Sequence, residues 1–293
     1  MKRILITGAA GFIGFHVCLQ LAKKDDVELI LIDSLMPTYS ETFTNSRKVI
    51  LEQMGLDIIV EDLASMSSRD LRELVGNVDI VIHLAASPGV RVPKGQEDKY
   101  FENNVIAFSN VLNYAAMADI PMIFASSSSV YGDSGTREPV KENSTSNFIG
   151  KGIYALAKWS NEELSRIYYK SGYTKSIGLR FFSVYGKFGR PDMAYFSFTR
   201  KVLEGETIEL YGDHNPKRDF TPIEFVVADL LYIVNEILLR GTTIFDQIYK
   251  YDDSNTLNIG TGNPVEIRFL LRKIEEALNK HAQISYTLSL IHI

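Results

Sequence analysis

The sequence predicts an α/β fold with a parallel sheet at its centre, and three observations support this prediction. Short apolar runs alternate with longer helical patterns over the first 180 residues, which is typical of parallel strands joined by crossover helices. Several of these runs are almost wholly apolar, as expected for strands that are covered on both faces. A glycine-rich turn directly follows the first run and directly precedes the first helical pattern.

The patterns predict the following elements in chain order. The strands are Arg3–Thr7, Glu28–Ile32, Asp57–Val60, Val78–His83, Met122–Ala125 and Ser176–Leu179. The helices are Phe12–Lys24, Asn104–Met117, Ala155–Lys170, Met193–Leu203, Glu224–Leu239 and Glu266–Asn279. After Phe182 the loops are longer and richer in glycine, proline and charge. We therefore expect a first domain over residues 1–180 and a smaller, mainly substrate-binding lobe over residues 181–293, with the active site in the cleft between them.

Length, charge and composition argue against several classes of protein. The chain has 293 residues, a formal net charge of −5 and a hydrophobic fraction of 45%. A negative chain is a poor partner for nucleic acid, because binding to the phosphate backbone needs a cationic surface. No apolar run reaches the length of about eighteen residues that predicts a membrane span. The single cysteine, Cys18, fits a reducing compartment, so we expect a cytoplasmic protein without a structural metal.

The glycine-rich turn is the first candidate binding site. Gly8, Gly11 and Gly14 have the spacing GxxGxxG, with Phe12 and Ile13 at the start of the following helix. Glycines at this spacing allow a tight turn, bring backbone amides close to a pyrophosphate and let the helix pack on the strand. The amino end of the helix adds free N–H groups and a partial positive charge. We therefore predict a Rossmann-type doubly wound parallel sheet that binds a dinucleotide.

An acidic residue follows the turn at the distance expected for ribose recognition. Asp33 closes the second predicted strand, about twenty residues after the glycines. Its carboxylate can accept hydrogen bonds from the adenosine ribose and would repel a 2′-phosphate. The sequence therefore favours NAD over NADP.

A tyrosine, a lysine and a serine form a candidate catalytic group. Tyr154 and Lys158 are four residues apart, which places both on one face of a helix. Ser127 lies in a serine run at the carboxyl end of the fifth predicted strand, at the sheet edge where ligands bind. A phenol with a pKa near 10 needs nearby positive charge to act as a base. Lys158 and a cationic nicotinamide can supply it, while Ser127 polarises a substrate hydroxyl.

Together these motifs resemble the extended short-chain dehydrogenase/reductases, and within them the UDP-glucuronate 4-epimerases. The resemblance spans residues 1 to about 270. The segments that carry it are Thr7–Gly14, His83–Ala86, Gly89–Arg91, Ser126–Gly132, Tyr154 with Lys158, Leu179–Gly186, Gly189–Ala194, Lys217–Thr221 and Asn258–Gly260.

The resemblance assigns further residues. It implies that Asp62 and Leu63 flank the adenine of the cofactor, and that Asn104 lies near the cofactor. It also implies that Phe181 packs near the nicotinamide, and that Arg218 grips the substrate diphosphate unless it forms a surface ion pair with Asp219. The wall beneath the cofactor would be formed by Leu84, Ala85 and Ala86, and Arg91 would belong to the substrate site.

Two serines narrow the expected reaction. Related 4,6-dehydratases carry an Asp–Glu pair just before Val-Tyr-Gly, and related decarboxylases carry a Glu there. This chain has Ser128 and Ser129 at those positions, so epimerisation is the expected reaction. For a glucuronate substrate, Ser128, Ser129, Ser183 and Arg190 would bind the carboxylate, Arg190 by a charge-assisted contact. Its alternative is an arginine in a surface ion pair.

Two other functions stay open. The chain could be a 4-epimerase for neutral UDP-hexoses, although such enzymes tend to have Asn where this chain has Ser183. It could also be a protein that binds NAD without catalysis. The resemblance further implies a homodimer that pairs the helices predicted over Asn104–Met117 and Ala155–Lys170.

The chain departs from the family in two places. Pro222, Glu224 and Phe225 stand in a segment that usually reads Arg-Asp-Phe-Thr-Tyr-Ile-Asp-Asp. The final residues, Thr287–Ile293, do not resemble the segment with which relatives close the nucleotide pocket, so we expect a truncated or atypical end.

Overall fold

A computed structural model describes residues 1–37, 39–89, 92–132, 139–144, 152–211, 216–241, 243–252 and 255–287. Its strands are β1 Lys2–Thr7, β2 Val27–Asp33, β3 Ile58–Val60, β4 Ile80–His83, β5 Met122–Ser127, β6 Ser176–Phe181, β7 Ser183–Tyr185, β8 Thr207–Tyr211, β9 Lys217–Arg218, β10 Phe220–Pro222, β11 Thr256–Ile259, β12 Val265–Glu266 and β13 Gln283–Thr287. Its α-helices are α1 Phe12–Leu21, α2 Glu41–Gln53, α3 Ser68–Val75, α4 Glu97–Phe101, α5 Ala107–Met117, α6 Gly152–Lys170, α7 Ala194–Glu204, α8 Ile223–Arg240, α9 Thr243–Asp252 and α10 Ile267–Leu278.

The core of the fold is a seven-stranded parallel sheet. Its strand order is β11-β6-β5-β4-β1-β2-β3. Strands β4, β5 and β6 are apolar along most of their length because helices cover both faces of the sheet. The chain leaves β1 toward one edge and β4 toward the other, so the two strands form the switch point where ligands bind in such sheets. The predicted Rossmann-type fold is confirmed.

Two apolar layers enclose this sheet. On one face, α1, α8 and α9 pack around Phe15, Leu230 and Phe245, all fully buried. On the other face, α3 and α5 pack around Leu71 and Phe108. Each layer buries large side chains that stabilise the fold by about 1.5–3 kcal/mol apiece.

The structure adjusts several predicted boundaries. Helix α1 ends at Leu21, whereas the prediction ran to Lys24, because the chain turns at Ala22 and Lys23. The helix expected from Asn104 begins earlier, because α4 over Glu97–Phe101 continues directly into a π-helical turn over Glu102–Ile106 and then into α5 at Ala107. Such a turn inserts an extra residue into the helix, and it turns Asn104 into the interior.

The later part of the chain adds small sheets and one more central strand. Strand β11 pairs with β6 and forms one edge of the central sheet. Outside it, β7 pairs with β10, β9 with β12 and β8 with β13. The small cluster of Val202, Ile208, Leu271 and Ile274 packs α7 and α10 together. The division of the chain at residue 180 stays a prediction.

Candidate functional site

The glycine-rich turn packs directly against the loop that follows β4. Gly8 has a φ of 73°, and a Cβ on it would lie 2.6 Å from the backbone nitrogen of Ala85. A Cβ on Gly14 would lie 2.1 Å from the carbonyl oxygen of Gly8. Any side chain at either position would therefore push the turn away from the sheet. The turn and the amino end of α1 thus form a close-packed backbone cradle of the kind that fits a dinucleotide pyrophosphate.

Asp33 lies beside this cradle, at the end of β2. Its carboxylate accepts hydrogen bonds from the backbone nitrogens of Ala10 at 2.9 Å and Leu35 at 2.8 Å. Burial raises the pKa of Asp33, while those two hydrogen bonds and the charge of Arg47 oppose the rise. A carboxylate can accept about four hydrogen bonds, so it can still serve ribose hydroxyls. The residues present therefore fit the adenosine half of NAD.

Three of the predicted cofactor residues follow β4, and a fourth holds their loop in place. Leu84, Ala85 and Ala86 are each half-buried next to the glycine-rich turn. Asn104 accepts a hydrogen bond from the backbone nitrogen of Ser87 at 2.8 Å and donates one to its carbonyl oxygen at 3.1 Å. Asn104 is 1% exposed, and its two hydrogen bonds hold the loop that follows β4.

The remaining residues that the resemblance assigned to the site follow β3, end β6 or lie outside the described residues. Leu63 is buried, and the Asp62 carboxylate accepts a hydrogen bond from the backbone nitrogen of Ala64 at 3.0 Å. Phe181 is buried at the end of β6, in register with Ser127 of β5. Arg91 lies outside the described residues.

The structure brings Ser127, Tyr154 and Lys158 together. Ser127 ends β5, and its hydroxyl pairs with the Tyr154 phenol and accepts a hydrogen bond from the backbone nitrogen of Ser129 at 3.1 Å. Lys158 is 3% exposed, and its Nζ lies 5.9 Å from the centre of the Tyr154 ring. The same Nζ donates to the carbonyl oxygen of Ala125 at 2.8 Å. This group can move a proton to or from a substrate hydroxyl at the sheet edge.

Charges around the tyrosine differ from those expected from the sequence. Burial raises the pKa of Tyr154, while the charge of Arg190 and the hydrogen bond with Ser127 oppose the rise. Burial lowers the pKa of Lys158 to about 8, and the charge of Glu162 opposes that fall. Arg190 is therefore a cation that favours the phenolate, a role that the sequence suggested only for Lys158 and the nicotinamide.

A buried ion pair that the sequence analysis missed lies behind Lys158. The Glu162 carboxylate of α6 accepts hydrogen bonds from Arg180 Nε at 2.9 Å and Nη2 at 2.8 Å, and from the Ser126 hydroxyl at 2.5 Å. Arg180 also donates to the Tyr131 hydroxyl at 2.8 Å. Glu162 extends the four-residue spacing of Tyr154 and Lys158 by one step, and this spacing was a signal that could have revealed it.

The serines after β5 lie in a tight turn. Ser128 and Ser129 begin a 3₁₀ turn that runs to Tyr131. The Ser129 hydroxyl is buried and has no hydrogen-bond partner within the described part of the chain. A buried hydroxyl without a partner costs about 1–3 kcal/mol, so this oxygen is suited to bind a polar ligand. Ser183 begins β7, and its backbone nitrogen donates to the carbonyl oxygen of Asp219 at 3.0 Å.

The two candidate substrate arginines differ in burial. Arg190 forms two hydrogen bonds to Asp192, at 3.0 and 2.5 Å, yet its side chain is only 20% exposed. It is therefore both in an ion pair and close enough to act on Tyr154. Arg218 is exposed, and its guanidinium donates to the carbonyl oxygen of Lys217 at 2.8 Å. Its alternative as a partner of Asp219 is wrong, because that carboxylate is buried and binds Thr221, Thr261 and Gly262 instead.

Across the described ranges, His, Cys, Asp and Glu side chains do not gather in groups of three that could hold a metal ion. None of the helices in those ranges is long and apolar enough to cross a membrane.

Comparison with known protein families decides the assignment. The model of the NAD dependent epimerase/dehydratase family matches residues 4–239. The chain belongs to this family. The prediction of an NAD-dependent Rossmann enzyme is thereby confirmed, and NAD is the cofactor that the glycine cradle and Asp33 fit.

Individual relatives and solved structures to which the chain is similar include several 4-epimerases. The chain is 31% identical to a probable UDP-glucuronate 4-epimerase of Rhizobium meliloti, over 96% of this chain and 83% of the relative. The solved UDP-glucuronic acid 4-epimerase of Bacillus cereus, in complex with UDP-glucuronic acid and NAD, has a TM-score of 0.82 and 27% identity, over 99% of this chain and 87% of that one. A UDP-N-acetylglucosamine 4-epimerase from Methanobrevibacter ruminantium has a TM-score of 0.77 and 26% identity, over 98% and 85% of the two chains.

Proposed function

We propose that the protein is an NAD-dependent UDP-sugar 4-epimerase whose substrate is UDP-glucuronate. The observation that carries this proposal is the contact between Ser127 and Tyr154. Ser128 and Ser129 directly follow Ser127 in the chain, at the positions where dehydration would need an acid and a base. The similarity to UDP-glucuronate 4-epimerases supports the choice of sugar.

The residues of the chain would act on the sugar 4-hydroxyl. When bound, NAD⁺ supplies the acceptor and later the donor of a hydride. Tyr154 takes the proton of the hydroxyl, and its phenolate is favoured by Arg190 and by the hydrogen bond from Ser127. Lys158, whose Nζ lies 5.9 Å from the centre of the Tyr154 ring, adds positive charge and is held in position by its hydrogen bond to the carbonyl oxygen of Ala125. The 4-keto sugar rotates in the pocket, so that the opposite face of carbon 4 is reduced. Tyr154 then returns the proton to the oxygen on carbon 4.

The carboxylate of the substrate must also be controlled. A 4-keto glucuronate is a β-keto acid. It loses carbon dioxide when the carbon–carbon bond to the carboxylate aligns with the π orbital of the 4-keto carbonyl group. We propose that Arg190 and the unpaired hydroxyl of Ser129 hold the carboxylate out of that alignment, together with Ser128 and Ser183. Arg218 would hold the diphosphate from the exposed surface of β9.

A 4-epimerase for UDP-hexoses without a carboxylate is the second candidate. The resemblance to a UDP-N-acetylglucosamine 4-epimerase favours it, because the two folds superpose over nearly the whole chain. UDP-glucuronate differs from UDP-glucose only at carbon 6 of the sugar, whereas UDP-N-acetylglucosamine also differs at carbon 2.

We also propose a homodimer in the cytoplasm. Large apolar side chains are exposed on the helices that the resemblance places at a dimer axis, including Met117 of α5 and Leu156 and Ile167 of α6. Exposed apolar patches of this kind are typical of protein interfaces.

The first experiment tests the reaction. Purified protein is incubated with UDP-glucuronate, and UDP-galacturonate is followed by NMR. Tyr154→Phe should lower turnover by about two to four orders of magnitude, the usual scale for a lost general base, while NAD stays bound. Tyr232→Phe, at an exposed position on α8, serves as the control and should keep full turnover. Near-normal turnover of Tyr154→Phe would assign the proton to another group.

The second experiment tests the sugar. Arg190→Met should lower the catalytic efficiency on UDP-glucuronate about ten- to a hundredfold, because a charge-assisted contact contributes about 1.5–3 kcal/mol. Activity on UDP-glucose should fall less, by only the part that Arg190 contributes to the Tyr154 phenolate, and some product from UDP-glucuronate should be a decarboxylated pentose. Arg200→Met, at an exposed site on α7, is the matched control. Equal losses on both sugars would favour the UDP-hexose epimerase.

A further inference from the structure

A short loop carries Arg190, and its backbone has an unfavourable conformation. Phe188 has a φ of 58°, in the left-handed region that residues with a side chain rarely adopt. Such a conformation persists only where the surroundings hold it. Contacts from α1 and α2 hold this loop.

Helix α1 holds the loop through two side chains. His16 hydrogen-bonds the carbonyl oxygen of Lys187 at 2.8 Å. The Phe188 ring packs edge-to-face on Phe15, with 5.2 Å between ring centres. Both contacts fix the loop against the helix that begins at the cofactor turn.

A buried arginine on α2 makes the third connection. Arg47 is 1% exposed, and its Nη1 donates to the carbonyl oxygen of Phe188 at 3.0 Å. Its Nε donates to the carbonyl oxygen of Ala10, within the glycine-rich turn, at 2.6 Å. One rigid guanidinium therefore joins the cofactor turn to the loop that carries Arg190.

The same guanidinium reaches Arg190 by a second route. Its Nη2 donates to the Tyr39 hydroxyl at 3.1 Å. The centre of the Tyr39 ring lies 5.9 Å from Arg47 Cζ and 5.7 Å from Arg190 Cζ. Guanidinium groups at this distance from an aromatic ring are attracted to it.

We infer that Arg47 is a positioning residue that, with Tyr39, aligns Arg190 with the cofactor turn so that the sugar is read at a fixed distance from the cofactor. This inference rests on the proposed role of Arg190 toward the carboxylate. The fork of Arg47 matters more than its charge, because two carbonyl oxygens and a hydroxyl are bound by three different nitrogens.

The test measures sugar discrimination by binding. NAD-loaded protein with Tyr154→Phe as background, which prevents turnover, is titrated calorimetrically with UDP-glucuronate and with UDP-glucose. Discrimination is the ratio of the two dissociation constants. Arg190→Met should reduce it about tenfold or more. Arg47→Met and Arg47→Lys should each reduce it at least threefold, and neither should reduce it further when combined with Arg190→Met. Arg240→Met, at an exposed site, is the control and should change nothing.

Each result bears on the inference. If Arg47→Met does not fold, Tyr39→Leu gives the same comparison at a half-buried position. Discrimination within twofold of the parent in Arg47→Met or Tyr39→Leu, with a loss in Arg190→Met, would overturn the inference and leave the proposed substrate standing. Full discrimination in Arg47→Lys would overturn it too, since charge alone would then suffice. No loss in Arg190→Met would overturn both the inference and the carboxylate assignment.

Discussion

Replacing Glu162 with glutamine removes a negative charge from the most deeply buried ion pair described. The side chains of Glu162 and Arg180 are only 5% and 7% exposed. The carboxylate accepts three hydrogen bonds, two of them from the guanidinium and one from Ser126. In the variant, an amide NH₂ would face the N–H groups of Arg180, and the guanidinium would stay buried without its counter-charge.

The expected loss of stability is large. Removing one partner of a buried ion pair costs about 3–5 kcal/mol, because the other charge is left uncompensated. With a slope of about 3 kcal/mol per molar urea, the unfolding midpoint should fall by about 1 M or more. The matched control is Glu163→Gln on the same helix, where the pair with Arg166 is about one-third exposed and should contribute less than about 1 kcal/mol.

A second variant separates charge from packing. The double variant Glu162→Met with Arg180→Met removes both charges, so it should be more stable than Glu162→Gln. Equal urea midpoints for Glu162→Gln and Glu163→Gln would refute the reasoning, as would a double variant less stable than Glu162→Gln. The latter result would mean that Arg180 is held mainly by Tyr131 rather than by the carboxylate.

Two further predictions concern charge near the cofactor. In calorimetric titrations, cofactor-stripped protein should bind NAD at least about tenfold more tightly than NADP, a difference of about 1.4 kcal/mol. Asp33→Asn should reduce this difference in affinity, and equal affinities in the unaltered protein would contradict the role of Asp33. In the folded protein the pKa of Lys158 is about 8, against an ordinary value of 10.5. Below pH 8 the buried charge of Lys158 therefore lowers the free energy of unfolding, and this loss of stability disappears as the pH rises toward 10.5. In urea unfolding, Lys158→Met should therefore be more stable than the parent at pH 7 by up to about 3 kcal/mol, and it should lose that advantage at pH 10. A stability difference that does not change with pH would show that Lys158 is not desolvated.

Local patterns were sufficient to predict the first six strands of the sheet and the cofactor turn. Each strand is a short apolar run bounded by turn residues, and the glycine spacing marks the place where backbone must approach backbone. The strand Thr256–Ile259 was missed because the polar residues Thr256 and Asn258 alternate with Leu257 and Ile259, so the segment contains no continuous apolar run. That side chain faces the Tyr131 hydroxyl, a partner far away in sequence.

The missed site residues share this dependence on distant partners. Arg47 lies in a helix of mixed composition, where an arginine is normally exposed, and it is buried only because Ala10 and Phe188 supply acceptors. Arg180 directly follows the predicted strand Ser176–Leu179, whereas the structure places it inside β6, and its partner on α6 could not be assigned from the strand alone. Periodicity describes one element at a time, whereas these contacts depend on how elements meet.

The position of β11 at the edge of the central sheet has a consequence for synthesis. All six residues of β6 are buried, and one side of this strand pairs with β11 over Thr256–Ile259. While the ribosome is still adding the residues between Phe181 and Thr256, that side carries unpaired backbone groups on an apolar strand. Such an edge is open to pairing with another nascent chain. Synthesis of β11 therefore closes an edge of β6 that is prone to aggregation until then.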